Sequence, residues 1–404
     1  MPENISRKGL TKLNLPRIID QTRPDQTRPD QTTHVQKSGS RKLLLVTLYG
    51  NFNYGNVLQR CALSRTIESL GFEVRHLCFQ DKVLPFGARA KSFIKQIIKQ
   101  IIYPAVNIFP SVGRIFASGY HIRQFQNKYI TRRINALSYE QVLNADPSEW
   151  AEYDYAVTGS DQVWHLWAHT AEEADYFYLS FIPRAKRVCY APSFGFPEFP
   201  ESDYEFHKKG LAGFERISCR EQEMIPMIKR ISGKDAQLTL DPTLLIDASQ
   251  WRAYERKPGY DVPEKYVFCY FLDVPPEDTS AILKMAGDMP VIAIDGFGLK
   301  GGLQYRTGPE GFLWLIDHAD FVCTNSFHGT AFSVNFGKNF LSFRRKGGGM
   351  FGRISGLLSS LNITGHIYEP GMQLRPDNVN YDEAYAKLDA LRESSMNYLR
   401  ENLR

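Results

Sequence analysis

Short apolar runs of strand length alternate with helix-length, apolar-periodic segments twice over along this chain. That rhythm restricts the fold more than any other feature. In the first block Leu43–Leu48, Glu73–Phe79, Tyr155–Thr158, Arg187–Ala191, Ile217–Cys219 and Gln237–Leu240 read as strands. In the second, Tyr266–Leu272, Val291–Ile294, Phe321–Thr324 and Phe340–Phe343 do, with helical stretches near 278–287, 309–318 and 327–336. Strands buried on both faces are nearly continuous apolar runs, and strands that alternate with helices build parallel sheets covered by helices. Two doubly wound α/β domains are therefore expected, over 41–242 and 264–375. A linker at 243–263, marked by Pro258, Gly259 and Pro263, joins them, and a helix within 376–404 is expected to pack back on the first domain. At 404 residues the chain is long enough for two cores. In such an architecture ligands bind beyond the carboxyl ends of the strands, in the cleft between domains.

Residues 1–40 carry a tandem Asp-Gln-Thr-Arg-Pro repeat and almost no bulky apolar side chains. They cannot bury enough surface to offset ordering entropy, so a disordered start is expected. Six cysteines lie mostly in apolar runs without a C-x-x-C pair, which argues for reduced, buried thiols and against a disulfide frame or zinc site. No signal peptide and no membrane-spanning run is read, and the expected location is cytoplasmic, at most peripheral at the inner face of the membrane. The net charge of +5 is unevenly spread. Lys82 to Tyr139 contains no Asp or Glu, and within a helical insertion at about 86–133 isoleucines recur opposite Lys91, Lys95 and Lys99. That basic amphipathic pattern fits either an anionic membrane surface or a helix packed inward with its lysines in water.

Chemistry-bearing residues concentrate at the expected strand ends. In Phe321-Val-Cys-Thr-Asn-Ser-Phe-His-Gly-Thr-Ala-Phe332 a buried strand stops at Asn325-Ser326 and a helix begins at once. Ser326 suits the N-cap, Gly337 the helix end, and His328 projects from a first turn whose N–H groups attract anions. Gly329 leaves room for a ligand to approach the backbone. His328 either acts on a phosphate or carboxylate, or merely satisfies the helix end. Tyr49-Gly-Asn-Phe-Asn-Tyr-Gly-Asn-Val57 is a strand–loop–helix turn in which Asn53 and Asn56 offer amides and Tyr54 a ring for sugar stacking. It lacks the G-x-G-x-x-G spacing of dinucleotide sites. Val157-Thr-Gly-Ser-Asp-Gln-Val-Trp164 delivers Asp161, Gln162 and Trp164 to a loop. Asp161 reads as a general base or an N-cap, and Trp164 as a sugar platform. His165 and His169 resemble a metal pair only in spacing, and no metal is called for. Ile217-Ser-Cys-Arg-Glu221 places Arg220 at a strand end, to clamp an anion or to pair internally with Glu221 or Asp241.

Taken in order, Asn53-Tyr-Gly-Asn56, Gly159-Ser-Asp-Gln-Val-Trp164, Ser218-Cys-Arg-Glu221, Leu240-Asp-Pro-Thr243 and Thr324-Asn-Ser-Phe-His-Gly329 resemble the polysaccharide pyruvyl transferase family. The resemblance implies two Rossmann-like domains facing a cleft, similar to the B-type glycosyltransferases. It implies transfer of pyruvate from phosphoenolpyruvate to two hydroxyls of a sugar, in an exopolysaccharide, a capsule or a lipid-linked precursor, with no cofactor and no nucleic acid. His328 and Asp161 would be catalytic. Arg220, Ser326, Gly329, Arg344 and Arg345 would bind donor, and Asn53, Tyr54, Asn56, Gln162 and Trp164 would bind acceptor. Where the family pattern carries an arginine two residues before the histidine, this chain has Ser326, and Arg344, Arg345 or Arg353 would supply that charge. The rival readings are a nucleotide-sugar glycosyltransferase of the same fold and a non-catalytic glycan- or membrane-binding protein.

Overall fold

The computed structural model describes residues 19–22, 40–49, 53–79, 110–195, 198–272, 279–294, 302–345, 351–369, 371–372 and 379–404. The first sheet contains β1 (Ile19–Thr22), β2 (Arg41–Val46), β3 (Phe72–Phe79), β4 (Arg132–Ala136), β5 (Tyr155–Asp161) and β6 (Arg187–Pro192). Its order is β1-β4-β3-β2-β5-β6, parallel throughout except that β1 runs antiparallel to β4. A two-stranded parallel ribbon, β7 (Ile217–Cys219) and β8 (Ala236–Leu238), lies beside β6, where Ser218 Oγ accepts from the Ala191 N–H at 3.0 Å. The second sheet is wholly parallel, in the order β11-β10-β9-β12-β13: Leu303–Tyr305, Val291–Ile294, Val267–Tyr270, Phe321–Thr324 and Phe340–Ser342.

In each sheet the chain builds outward on one side of a central strand, β2 or β9, and then returns to the other side of that strand. The first reversal falls between β2 and β5 and the second between β9 and β12. Helices leave the two sides of such a switch point in opposite directions, which opens a crevice at the strands' carboxyl ends. After β2 the chain enters α1 (Tyr54–Ser69), and β12 leads into a helix over Phe327–Asn335. Both helices begin at these crevices.

The two sheets do not stand apart. Tyr54, at the start of α1, stacks on Phe312 at 5.2 Å and its hydroxyl donates to the Thr307 carbonyl at 2.8 Å. Phe312 belongs to the helix Pro309–Asp317 of the second domain. Val57, Leu58 and Cys61 of α1 and Ile122 and Phe125 of α2 (Pro110–Tyr129) join Ile292, Phe312 and Phe332 in one apolar cluster. A shared close-packed core resists relative sliding, so the cleft it borders has a defined width. The C-terminal helix Tyr381–Asn402 docks Tyr398, Leu399 and Leu403 against Leu43, Leu45 and Val188 of the first sheet.

Several expectations need correction. Residues 19–22, inside the segment read as disordered, form β1: an edge strand holds by backbone hydrogen bonds and needs no bulky side chains. The rest of 1–39 lies outside the described residues. The insertion read as helical to about 133 ends earlier, because Arg132–Ala136 is β4, whose alternating pattern is too short to separate from a helix end. Lys91, Lys95 and Lys99 lie outside the described residues. The expected linker carries two short helices, Pro242–Leu245 and Ala248–Arg252, the second with an Asp247/Gln250 capping box and a buried Trp251. Among the described residues no helix is long and apolar enough to cross a membrane.

Candidate functional site

The second-domain wall begins where β12 ends. Thr324 Oγ1 accepts from the Ser326 N–H at 3.0 Å and donates to the Tyr270 carbonyl. The Asn325 amide both accepts from the Leu272 N–H at 2.7 Å and donates to the Leu272 carbonyl at 3.0 Å. These bonds tie the turn to the end of β9. Ser326 is the N-cap, its Oγ accepting from the Gly329 N–H at 3.3 Å. Gly329 has a different role from the one expected. A Cβ there would lie 2.3 Å from Thr324 Oγ1, so the glycine lets the helix pack on its own strand and does not admit a ligand.

His328 follows the cap and is 5 % exposed. Its ring lies across the start of α1: a Cβ on Gly55 would fall 1.9 Å from His328 Nδ1. Asn53 caps that helix, its side chain accepting from the Gly55 N–H at 2.8 Å. Two helix N-termini, one from each domain, thus meet at one imidazole, and both carry the partial positive charge of unpaired N–H groups. Gly55→Ala is expected to push the imidazole out of this position, at the cost of about 1–3 kcal/mol typical of overpacking. Heteronuclear NMR of the His328 ring, together with thermal unfolding, checks this; an unmoved ring would contradict it.

Behind the imidazole lies a buried ion network. Arg220 Nη1 donates to Asp241 Oδ2 at 2.6 Å, Nη2 to Asp161 Oδ1 at 2.8 Å and Nε to Glu221 Oε1 at 3.4 Å. Asp241 Oδ1 accepts from the Thr243 N–H and hydroxyl, and Oδ2 is 3.7 Å from His328 Nε2. Asn56 Nδ2 donates to Asp161 Oδ2 at 3.2 Å, and Arg353 Nη1 stands 3.8 Å from Asp161 Oδ1. Burial alone would raise both aspartates. For Asp241 the charges of His328 and Arg220 outweigh burial, and for Asp161 those of Arg220, His328 and Arg353 do, so both are held below the usual carboxylate range. Glu221 goes the other way, raised by burial against the pull of Arg220. Arg353 is lowered to about 10 by burial and by Arg220, and stays charged at neutral pH.

A depressed carboxylate adds stability that is complete above its unfolded pKa and is lost as pH falls through the lower folded one. The Asp241 contribution should therefore persist to about pH 4, near the unfolded value, and fade below it. Thermal unfolding of the parent and Asp241→Asn should show a gap that is constant from neutral pH to pH 5 and narrows in stronger acid. A gap that narrowed above pH 5 would contradict the depressed carboxyl.

The cleft in front of the network encloses about 490 Å³ of atom-free space, part of it open to solvent. Asn53, Asp161 and Gln162 line it from the first domain; Asn325, Ser326, Phe327, His328, Arg345 and Arg353 line it from the second. The structure thus brings His328, Asp161, Asn53, Gln162, Ser326 and Arg345 to one cleft, with Asn56 touching Asp161 from behind. It removes others. Arg220, with a side chain 1 % exposed, is the counter-ion of three carboxylates and not an open clamp, which is the internal pairing its sequence context also allowed. Arg344 turns outward to Glu369 at 2.8 Å. Trp164 is fully buried and stacks on Tyr178 at 5.2 Å, and Tyr54 is buried in the interdomain core, so neither ring can meet a sugar. His165 and His169 are bonded to the Phe194 carbonyl and to Asp203. Among the described residues the group that could hold a metal is Glu255, Asp317 and His318, none of which lines the cleft.

Arg353 was only a substitute from sequence and proves to be a cleft residue; its guanidinium and that of Arg220 lie over the Phe327 ring at 6.0 and 5.2 Å. Gly55 and Asp241 both lie in segments that stand out in the sequence, Tyr49–Val57 and Leu240–Thr243. Nothing in the sequence tied either to His328, some 270 and 90 residues away, because the link exists only across the cleft.

The family model described as Polysaccharide pyruvyl transferase matches residues 53–347. Among curated proteins none matches. Several solved structures are similar at low identity. UDP-GlcNAc 2-epimerase from Methanocaldococcus jannaschii superposes with a TM-score of 0.50 at 9% identity, over 86% of this chain and 92% of that one. The glycosyltransferase SnogD from Streptomyces nogalater gives 0.40 at 11% identity, over 90% and 99%. UDP-GlcNAc 2-epimerase from Neisseria meningitidis bound to UDP-GlcNAc gives 0.42 at 8% identity, over 88% and 93%. The doubly wound sheets and the likeness to the Methanocaldococcus jannaschii epimerase agree on a fold of two Rossmann-like domains, similar to the B-type glycosyltransferases.

Proposed function

The chain belongs to the polysaccharide pyruvyl transferase family, and on that premise we propose that its cleft transfers pyruvate from phosphoenolpyruvate to two hydroxyls of one sugar. The products are a cyclic ketal and inorganic phosphate. The observation that carries this reading is His328, buried where two helix N-termini meet and flanked along the cleft by Arg345, Arg353 and Asp161. A small, highly charged donor needs such a place: donors and cations on one wall, and a carboxylate opposite.

The reaction needs a proton at the methylene carbon of the enol ester and relief of the positive charge that develops at the adjacent carbon. In the proposed sequence His328 delivers that proton as the first sugar hydroxyl attacks. The hydroxyl's own proton passes to Asp161, which is ionised at neutral pH. The carbon–oxygen bond to phosphate then breaks, the second hydroxyl closes the ring, and its proton leaves with the phosphate. Arg345 and Arg353 hold the donor's phosphate and carboxylate, and Arg353 replaces the arginine that the family pattern carries where this chain has Ser326. Asn53 and Gln162, on the facing wall, bind the acceptor hydroxyls.

Incubation with phosphoenolpyruvate and a panel of glycan acceptors, scoring phosphate release and the mass added to the glycan, tests the proposal. Coupled release and mass gain are expected. Consumption of a nucleotide sugar in parallel incubations, with phosphoenolpyruvate untouched, would replace it with glycosyl transfer. The acceptor is a glycan built in the cytoplasm, free or on a lipid carrier.

A further inference from the structure

The buried Trp164 leaves the acceptor side of the cleft without the aromatic platform expected of it, yet a second indole three residues on is 57 % exposed. The other tryptophans are buried or half-buried. The loop that bears Trp167 is well fixed. Glu173, itself 2 % exposed, accepts from the Ala168 N–H at 2.6 Å, and the His169 N–H donates to the Leu166 carbonyl at 3.2 Å. Leu166 is buried beneath it, and His169 Nδ1 is bonded to Asp203 at 2.6 Å. The indole therefore stands on a rigid base, with the His165 ring edge-on at 4.1 Å.

Its place along the chain matters as much. Asp161 and Gln162, which line the cleft, begin the loop on which Trp167 lies. Six residues reach at most about 20 Å when extended, and the turns closed at Val163 and His165 shorten that. His165 Nδ1 meets the Phe194 carbonyl at 3.2 Å, which joins the loop to the chain leaving β6 at the same sheet edge. The exposed ring is thus within a few linked sugar units of Asp161.

We propose that Trp167, with His165 at its edge, is a stacking platform for sugar units of the acceptor beyond the one modified, so that the protein selects a glycan chain over a single sugar. This rests on the glycan-acceptor reading above. A flat, rigid, amphipathic ring offers a face to sugar C–H groups at little entropic cost. The occupant is carbohydrate, because the loop that carries the ring begins at Asp161 and Gln162, two polar residues that line the cleft where the acceptor hydroxyls are proposed to sit.

The test measures calorimetric binding of β-linked di- to hexasaccharides of galactose, glucose and N-acetylglucosamine, without phosphoenolpyruvate. The parent should bind at least one series more tightly as it lengthens. Trp167→Ala should weaken the longest member about 3- to 10-fold, the range for aromatic stacking, with Trp167→Phe restoring most of it. Tyr120→Ala, which removes a similarly exposed ring on α2, should behave as the parent. Equal binding by the parent and Trp167→Ala, or no binding of any series by the parent, overturns the platform. Binding through Trp167 without phosphate release on adding phosphoenolpyruvate would instead overturn the transfer reaction and leave the platform standing. Transfer with the same KM for long acceptors in parent and Trp167→Ala would do the reverse.

Discussion

Replacing His328 with alanine is expected to lower pyruvyl transfer by about two to four orders of magnitude, the range for general acid–base groups. The fold should remain. Ser326 caps the helix, Asn325 ties the turn to β9, and neither bond involves the imidazole. What is lost is the group at the meeting point of the two domains, 3.7 Å from Asp241 and against the Gly55 backbone. The defect should therefore fall mainly on kcat, with the phosphoenolpyruvate KM moved less, because Arg345 and Arg353 still line the cleft. Steady-state kinetics beside a circular dichroism melt make the check. A variant that transfers pyruvate at near the parental rate would remove His328 from the chemistry, and one that unfolds would make it a structural residue.

The second large effect is expected at Arg220, and on the fold before the activity. Its guanidinium is the shared counter-ion of Asp161, Asp241 and Glu221, all buried. Removing one member of a buried ion cluster leaves the others uncompensated, at a cost of about 3–5 kcal/mol. Arg220→Ala should accordingly lower the melting temperature strongly. Arg220→Lys should lower it by less, since an ammonium keeps the charge but cannot meet three carboxylates with a planar fork. Transfer should fall in both, because Asp161 loses the Nη2 bond that orients it, and in Arg220→Ala its nearest cation as well. If Arg220→Lys melted like the parent and only the donor KM rose, the arginine would be an anion clamp after all, and its place behind the cleft would misstate its role.

The difference between these two residues shows where sequence reading succeeds and where it stops. His328 was legible because its setting is local: a strand, a cap and a first helical turn sit within eight residues, and the backbone geometry of that unit is decided by those residues alone. Ser326 at the N-cap and Gly337 just beyond the helix both stand where their residue types predict. Arg220 was equally visible as a strand-end arginine, but whether a strand-end cation meets a ligand or a carboxylate depends on what the neighbouring strands bring. Here β5 brings Asp161 and the turn after β8 brings Asp241, and together they close over it.

The same division holds for the aromatic residues. Trp164 and Trp167 share a loop, and composition cannot say which ring turns inward. Burial against Tyr178 and Phe194 claims the first, while the second stands exposed on a loop tied to Glu173 through the Ala168 N–H. The sequence by itself determined the parallel, doubly wound architecture, since buried strands and amphipathic helices are periodicities of consecutive residues. It also determined the strand ends at which a site can form. Only the tertiary structure decided the site's membership: which arginine faces the cleft, which tryptophan meets water, and that Gly55 of one domain makes room for His328 of the other. Those outcomes are set by packing between segments tens to hundreds of residues apart, where charge neutralisation and excluded volume act through space and leave no trace in local spacing.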